Sequence, residues 1–303
     1  MSLIPVTILT GFLGSGKTTL LNHILKADHG YKIAVIENEF GEAGIDNELL
    51  VQDRDEQIIE MNNGCICCTV RGDLVRILSE LALKRRVGAL SFDHVVIETT
   101  GLADPAPVAQ TFFVDEAIHM NYLLDAIVTL VDAVHAPQQL DEHHVAQEQV
   151  GFADRVLISK TDLVDADALA KLHQRLGHMN PRAKITVAHH GIAVVDDLLD
   201  IRGFNLDAIL EIEPQFLTDV DHEHDDDVTS FVFRENRPLD LEQVEDFLSG
   251  TIQVCGPQMM RYKGALNIKG ETQRVVIQGV HMLMGAERAG KWKAHIENGF
   301  YRA

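Results

Sequence analysis

An α/β fold, a doubly wound and mostly parallel sheet followed by a small C-terminal α+β domain, is what this 303-residue chain encodes. Three observations point there. Near-continuous apolar runs alternate with helical stretches from residue 3 to residue 187. Strands buried on both faces read as unbroken apolar runs, and parallel neighbours need crossover helices between them. A glycine-rich octet stands between the first such run and the first helical stretch. Finally, the pattern breaks at an acidic run, 219–227, and a different order of elements follows it.

The elements come in this order. Residues 3–9 form the first strand. Gly11-Phe12-Leu13-Gly14-Ser15-Gly16-Lys17-Thr18 follows, and helical spacing resumes at Thr19–Lys26. The octet is G-x-x-x-x-G-K-T, the phosphate-binding P-loop, in the strand–loop–helix context it requires. Further strands are expected at 32–36, 57–60, 92–97, 126–131, 156–158 and 184–187, with helices at 70–86, 135–150 and 165–178. Residues 1–218 therefore read as a P-loop NTPase domain. Residues 219–227 carry six acids with His222 and His224, a composition that cannot join a core, and read as an exposed linker. Residues 228–303 read as a second domain with a strand at 230–233, a helix at 239–248 and strands at 259–264 and 274–279. Residues 294–303 lack a strand pattern, so an incomplete C-terminal sheet with an exposed edge is expected.

Lys and Arg number 26 against 46 Asp and Glu, a net charge of −20, which argues against general binding to nucleic acid or anionic membranes. Residues 261–303 run the other way, with eight Lys and Arg against three acids, and read as a solvated basic face. Three of the four cysteines fall within 65–68, a spacing suited to metal or redox chemistry in a reducing compartment rather than to a disulfide framework. The chain enters its first strand without a basic region or cleavage site, and no uncharged run approaches the ~20 residues of a membrane span. A cytoplasmic protein is expected.

The octet dictates its own chemistry. Its glycines let backbone N–H groups turn inward around a polyanion, Lys17 supplies a charge to the terminal phosphates, and Thr18 offers a hydroxyl to Mg²⁺. The strand Val95-Val96-Ile97 ends in Glu98, with Gly101 three residues on. An acid at that strand end lies beside the P-loop and can hold Mg²⁺ directly or through water, while Gly101 lets backbone approach a γ-phosphate. Ser159-Lys160-Thr161-Asp162 follows a later strand. Asp162 can accept from the ring N–H and amino group of guanine together, which adenine cannot offer, and the Lys160 stem can lie along the base. Val187-Ala188-His189-His190-Gly191, from the last strand, is a weaker candidate for closing over that base.

Cys65, Cys67 and Cys68 sit between a strand and helix 70–86. A C-x-C pair places two thiolates on one side of the backbone, and adjacent Cys67 and Cys68 rarely grip one ion together, so two cysteine ligands plus others from elsewhere are expected. Sulfur favours Zn²⁺ or another soft-to-borderline metal, and the following helix N-terminus favours thiolate. Glu37, Glu39 and Glu42 follow the second strand, where the first switch segment of such a fold lies. They are candidates for metal ligation or for responding to Mg²⁺-nucleotide, the plain alternative being solvated loop acids. Cys255 stands alone and reads as structural.

Together and in order, G-F-L-G-S-G-K-T-T at 11–19, E-N-E-F-G-E at 37–42, G-C-I-C-C at 64–68, E-T-T-G-L-A-D-P at 98–105 and S-K-T-D at 159–162 resemble the CobW-type GTPases. The resemblance runs from residue 3 to about 292. The family's relatives include GTPases that insert nickel into urease and hydrogenase. The resemblance implies GTP hydrolysis, with phosphates held by Gly11 through Thr19, Mg²⁺ at Thr18, guanine at Lys160 and Asp162, and metal at Cys65, Cys67 and Cys68 with help from Glu37 or Glu42. Lys17, Thr18, Glu98 and Gly101 would carry the chemistry. GTP or GDP, Mg²⁺ and Zn²⁺ are the implied ligands, with Co²⁺ and Ni²⁺ left open. Two departures stand out: Ser159 replaces the usual Asn, and family C-terminal domains usually continue past the region of Trp292 with another strand and a helix.

A nucleotide-gated zinc metallochaperone or insertase is the function so implied. Its partner would be a metalloprotein client, and pairing of two copies across their nucleotide faces is left open. No arginine finger or water-positioning Gln is evident, so slow intrinsic turnover is expected. An ATP-dependent small-molecule kinase and a non-enzymatic zinc buffer are the rivals. S-K-T-D argues against the first, and metal affinity that depends on the nucleotide would exclude the second.

Overall fold

A computed structural model describes residues 3–37, 57–60, 69–188, 193–203, 233, 235 and 237–291. The main sheet contains β1 (Ile4–Gly11), β2 (Ile33–Glu37), β3 (Gln57–Glu60), β4 (His94–Glu98), β5 (Tyr122–Asp132), β6 (Arg155–Ser159) and β7 (Lys184–Val187). Their order is β3-β2-β4-β1-β5-β6-β7, and every neighbouring pair is parallel. Between them lie α1 (Lys17–Lys26), α2 (Thr69–Arg86), α3 (Ala106–Val114), α4 (Glu116–His119), α5 (Ala136–Glu142), α6 (His144–Gly151) and α7 (Ala166–Met179).

The strand alternation divides the core. Ile4, Val6 and Ile8 of β1 pack with Leu74, Leu78 and Leu81 of α2 and Phe112 of α3. On the opposite face Leu9, Val96 and Val128 meet Leu20, Leu21 and Ile24 of α1. Each such side chain contributes roughly 1.5–3 kcal/mol of burial. In α7 the Asp165 carboxylate caps the first turn by accepting from Ala168 N. Leu172, Leu176 and Met179 then fall on one helical face and fill a third cluster.

The α1 face also buries a polar group. Thr7 Oγ1 donates to Asp125 Oδ2 at 3.2 Å, so His94 Nε2, 2.9 Å away, is the donor to Thr7. Asp125 also accepts from Ile201 N and Arg202 N, which ties residues 201–202 to β5. Burial pushes the Asp125 pKa up to about 6 and that of His94 down to about 4.

A second, antiparallel sheet contains β8 (Arg261–Leu266), β9 (Gln273–Val280) and β10 (Leu283–Lys291), ordered β10-β9-β8. The helix α8 (Leu241–Cys255) covers it through Val244 and Leu248. A buried ion cluster joins this sheet to the first. Asp154 Oδ1 meets Arg261 Nη2 at 2.8 Å and Lys263 Nζ at 3.2 Å, while Asp154 Oδ2 accepts from Ile127 N. Arg261 also donates to Phe152 O, and both cations donate to Gly203 O. Burial opposes ionisation of Asp154, but the two cations outweigh it and hold its pKa at about 2.

Three expectations are corrected. The helix expected over 135–150 is two helices, α5 and α6, separated by extended His143 (φ −130°, ψ 105°). The break brings the His143 ring onto Phe12, with centroids 4.8 Å apart. The helix expected at 239–248 continues to Cys255, through an exposed Gly250. β10 was not expected: Gly285, Ala286, Ala289 and Gly290 have poor strand propensity, and pairing with β9 supplies what propensity lacks. The acidic linker with His222 and His224, most of the strand expected at 230–233, and residues 294–303 lie outside the described residues.

Candidate nucleotide and metal site

β1 ends at Gly11, the chain turns through Phe12–Gly16, and α1 begins at Lys17. Gly11 has φ 140°, and a Cβ there would stand 2.4 Å from Leu130 O, so glycine is required. Gly16, at the N-cap of α1, has φ 101°, and the first turn of α1 contains no acid, leaving the helix N-terminus open to an anion. Lys17 is buried, and its Nζ donates to Gly11 O at 2.8 Å and Phe12 O at 3.3 Å. Burial lowers the Lys17 pKa, and the Glu98 charge works against that. The ammonium therefore occupies the cradle its loop forms. Ser15 Oγ is buried with no hydrogen-bond partner among the described residues. Leu13 and Thr19 are exposed, whereas Phe12 is buried against His143.

β4 delivers the acid. Leu9 of β1 is in register with Glu98, and Thr18 Oγ1 donates to Glu98 Oε1 at 3.1 Å. Two hard oxygen donors meet beside the phosphate cradle, a set that fits Mg²⁺. Thr99 Oγ1 donates to Thr10 Oγ1, fastening the two strand ends together. Gly101 lies against the P-loop itself, since a Cβ there would come within 2.7 Å of Leu13 N. The P-loop backbone therefore leaves no room for a side chain at Gly101.

The residues expected to face the base sit at the end of β6. Ser159 Oγ donates to Ser15 O at 2.7 Å, so this serine braces the P-loop from the neighbouring segment. Lys160 follows with φ 56°, and Asp162 is exposed in a 3₁₀ turn. Lys160 Nζ pairs with Asp132 Oδ2 at 2.7 Å.

The strand register bears on the metal candidates. Glu37 at the end of β2 is the partner of Glu98 in β4 and of Glu60 in β3. Three glutamate positions thus stand in a row across the carboxyl edge of the sheet, one of them at Thr18. Glu42 and Cys65, Cys67 and Cys68 lie outside the described residues, as do His189, His190 and Gly191 of the 187–191 segment, whose Val187 ends β7. The segment holding the cysteines leaves β3 at Glu60 and re-enters at Thr69, the start of α2. Among the described residues, no group of three His, Cys, Asp or Glu is arranged to hold a metal ion.

Two residues escaped sequence reasoning. Asp132 closes β5 as Glu98 closes β4, and the rule that found one would have found the other. Gln149 of α6 left no signal. It is 1% exposed, and its Nε2 donates to Gly101 O at 3.3 Å and Ala103 O at 3.1 Å, so its amide holds the loop after Glu98 from behind.

The family described as CobW/HypB/UreG, nucleotide-binding domain, matches residues 5–187, and the cobalamin synthesis protein CobW C-terminal domain matches 228–299. The chain is 44% identical over 293 residues to the zinc chaperone YjiA of Escherichia coli, covering 96% of this chain and 91% of that protein. It is 34% identical to the zinc chaperone CobW of Pseudomonas aeruginosa, covering 96% of this chain and 84% of that one. It is also 34% identical to the zinc-regulated GTPase metalloprotein activator 1 of Schizosaccharomyces pombe, with 91% and 75% covered. The crystal structure of the Zn(II)-bound YjiA GTPase superposes with a TM-score of 0.78 at 38% identity, over 97% of this chain and 91% of that one. With both family descriptions matched and this cradle at the carboxyl edge of the sheet, the chain belongs to the CobW/HypB/UreG family.

Proposed function

We propose that this protein is a GTP-hydrolysing zinc metallochaperone whose metal affinity is set by the bound nucleotide. The observation that supports the proposal is the register that pairs position 37 with Glu98, so that a candidate metal ligand at the end of β2 and the Thr18–Glu98 oxygens share one edge of the sheet. Relatives named as zinc chaperones and a zinc-regulated GTPase activator support the cargo and the nucleotide. In this reading Lys17 exchanges its loop carbonyls for the terminal phosphates, and Gly11 through Thr19 supply backbone N–H groups. Thr18 and Glu98 hold Mg²⁺, which when bound neutralises charge developing on the phosphates. Lys160 and Asp162 select guanine. Glu37 or Glu42 joins Cys65, Cys67 and Cys68 around zinc, with Co²⁺ and Ni²⁺ as competitors at the same donors.

Hydrolysis releases the constraint on the segment after Glu37 and on the loop after Gly101, and metal passes to a metalloprotein client in the cytoplasm. Among the described residues no helix is long and apolar enough to cross a membrane. The domain division at 1–218, 219–227 and 228–303 belongs to the same proposal.

The test is Zn²⁺ and Co²⁺ affinity in nucleotide-free, Mg²⁺-GDP and Mg²⁺-GTP states, with thiolate-to-Co²⁺ absorption read in wild type and Cys67→Ala. Tighter, thiolate-dependent binding with GTP is expected. Equal affinity in all three states would sink the gating. Cys67→Ala should leave GTP affinity intact, and an equal fall in both affinities would show that the two sites are not separable.

A further inference from the structure

We infer that Asp132 is a positioning residue for the nucleobase, holding Lys160 so that its methylene stem forms one wall of the base cleft. The inference rests on the proposed guanine site at Lys160 and Asp162. Asp132 is 1% exposed at the end of β5 and is in register with Ser159, the residue before Lys160. Its Oδ2 accepts from Lys160 Nζ at 2.7 Å and from His135 Nδ1 at 2.8 Å. Its Oδ1 accepts from Val134 N at 2.9 Å. Burial opposes ionisation of this carboxyl, yet the Lys160, His135 and Val134 donors together hold its pKa below the ordinary value. A buried carboxylate is expensive unless paired, and here both oxygens are engaged.

Two features make the pair more than a convenient ion bridge. Lys160 has φ 56°, the left-handed region, which a residue with a Cβ occupies only at a cost. Such strain persists only where the surroundings enforce it. An unanchored lysine would also lose its rotamer freedom on being held against a base. The Asp132 bond spends that freedom before the nucleotide arrives, which is preorganisation. The adjoining residue is fixed independently, since Ser159 Oγ is bonded to Ser15 O. The base-side segment is thus tied at one position to the phosphate cradle and at the next to β5, while the Asp162 carboxylate stays exposed.

Asp132→Asn separates positioning from turn-capping. The new side chain keeps an oxygen for Val134 N but cannot accept from Lys160 through its amide nitrogen. Affinities of the full chain for fluorescent GTP and GDP are measured in wild type, Asp132→Asn, Lys160→Ala and the double variant, with thermal melts alongside. Asp132→Asn should weaken GTP and GDP equally, about tenfold, raising KM with far less effect on kcat. In the Lys160→Ala background it should cost nothing further. Unchanged affinity with a lowered melting temperature would overturn the inference and leave a turn cap. So would equal losses in both backgrounds, because Asp132 would then act without Lys160. The guanine reading is tested separately by Asp162→Asn, which should shift preference from guanosine to xanthosine triphosphate, xanthine having a carbonyl where guanine has its amino group. Failure of that shift overturns the base assignment. The double-variant cycle is still decided, with whichever nucleotide the wild type binds.

Discussion

The carboxyl edge of the main sheet and the joint with the second domain both bury charge, but they treat it differently. At the joint, Asp154 is met by Arg261, Lys263 and Ile127 N, and the two cations also reach carbonyl oxygens. At the edge, Lys17 donates to carbonyls of its own loop, Ser15 Oγ has no partner among the described residues, and Thr18 leans on Glu98. A carboxylate clamped between two cations contributes rigidity and register. A cluster with bonding capacity in reserve holds a ligand, because an anion can take over contacts that the protein makes poorly by itself. The Thr7–His94–Asp125 group shares features of both, as its carboxylate is well bonded while His94 Nδ1 is buried without a partner among the described residues.

If the joint is structural, its loss should appear in stability. Asp154→Ala removes the carboxylate that pairs Arg261 and opposes the burial that lowers the Lys263 pKa to about 7, and should destabilise the protein by about 3–5 kcal/mol in urea unfolding. GTP affinity of the folded fraction should be unchanged; a loss of affinity without a loss of stability would reverse the roles assigned to the two regions. The converse applies at the edge. Lys17→Ala should weaken GTP binding by at least about a hundredfold in a fluorescence titration. Its melting temperature should stay at or above that of wild type, because a desolvated ammonium has been removed.

The intermediate cluster should show in pH dependence. His94 stays neutral in the fold down to about pH 4, whereas in the unfolded chain it takes up a proton near 6.5. The unfolded state binds more protons through that window, so stability falls as pH drops from 6.5 to 4. Asp125 acts in the opposite sense: its folded pKa of about 6 lies above the unfolded value, so it adds stability as pH falls below 6. His94→Gln removes the first effect and keeps the second. Its stability relative to wild type should rise by on the order of 2–3 kcal/mol between pH 6.5 and pH 4. Parallel urea curves for the two proteins at both pH values would exclude titration of His94.

The smallest effect belongs to the brace between base side and cradle. Ser159→Ala deletes the bond to Ser15 O and should weaken GTP about fivefold, with about 1 kcal/mol lost in stability. A loss of stability with full GTP affinity would place Ser159 with the joint rather than with the edge.

Several parts of the edge were legible because their physics is local. The octet at 11–18 requires its glycines and lysine whatever surrounds it, and an acid after an apolar strand identified Glu98. Lys160 and Asp162 were readable as a short polar segment after β6. Asp132 obeyed the same strand-end rule and was passed over. The break at His143 could not be seen in an uninterrupted helical periodicity, because the ring of Phe12 that it meets is supplied by the fold.

The sequence by itself determined a parallel sheet with crossover helices, the phosphate cradle and a change of architecture before the second domain, since apolar periodicity and short motifs act between near neighbours. Only the tertiary structure decided that Thr18 reaches Glu98 across 80 positions, that Gln149 holds the loop at Gly101 across 48, and that Asp154 finds Lys263 across 109. β10 likewise exists through its partner rather than its composition. The reason is common to all four. A buried polar group or a weak strand is stable only when its complement arrives, and no local pattern encodes where in the chain that complement lies.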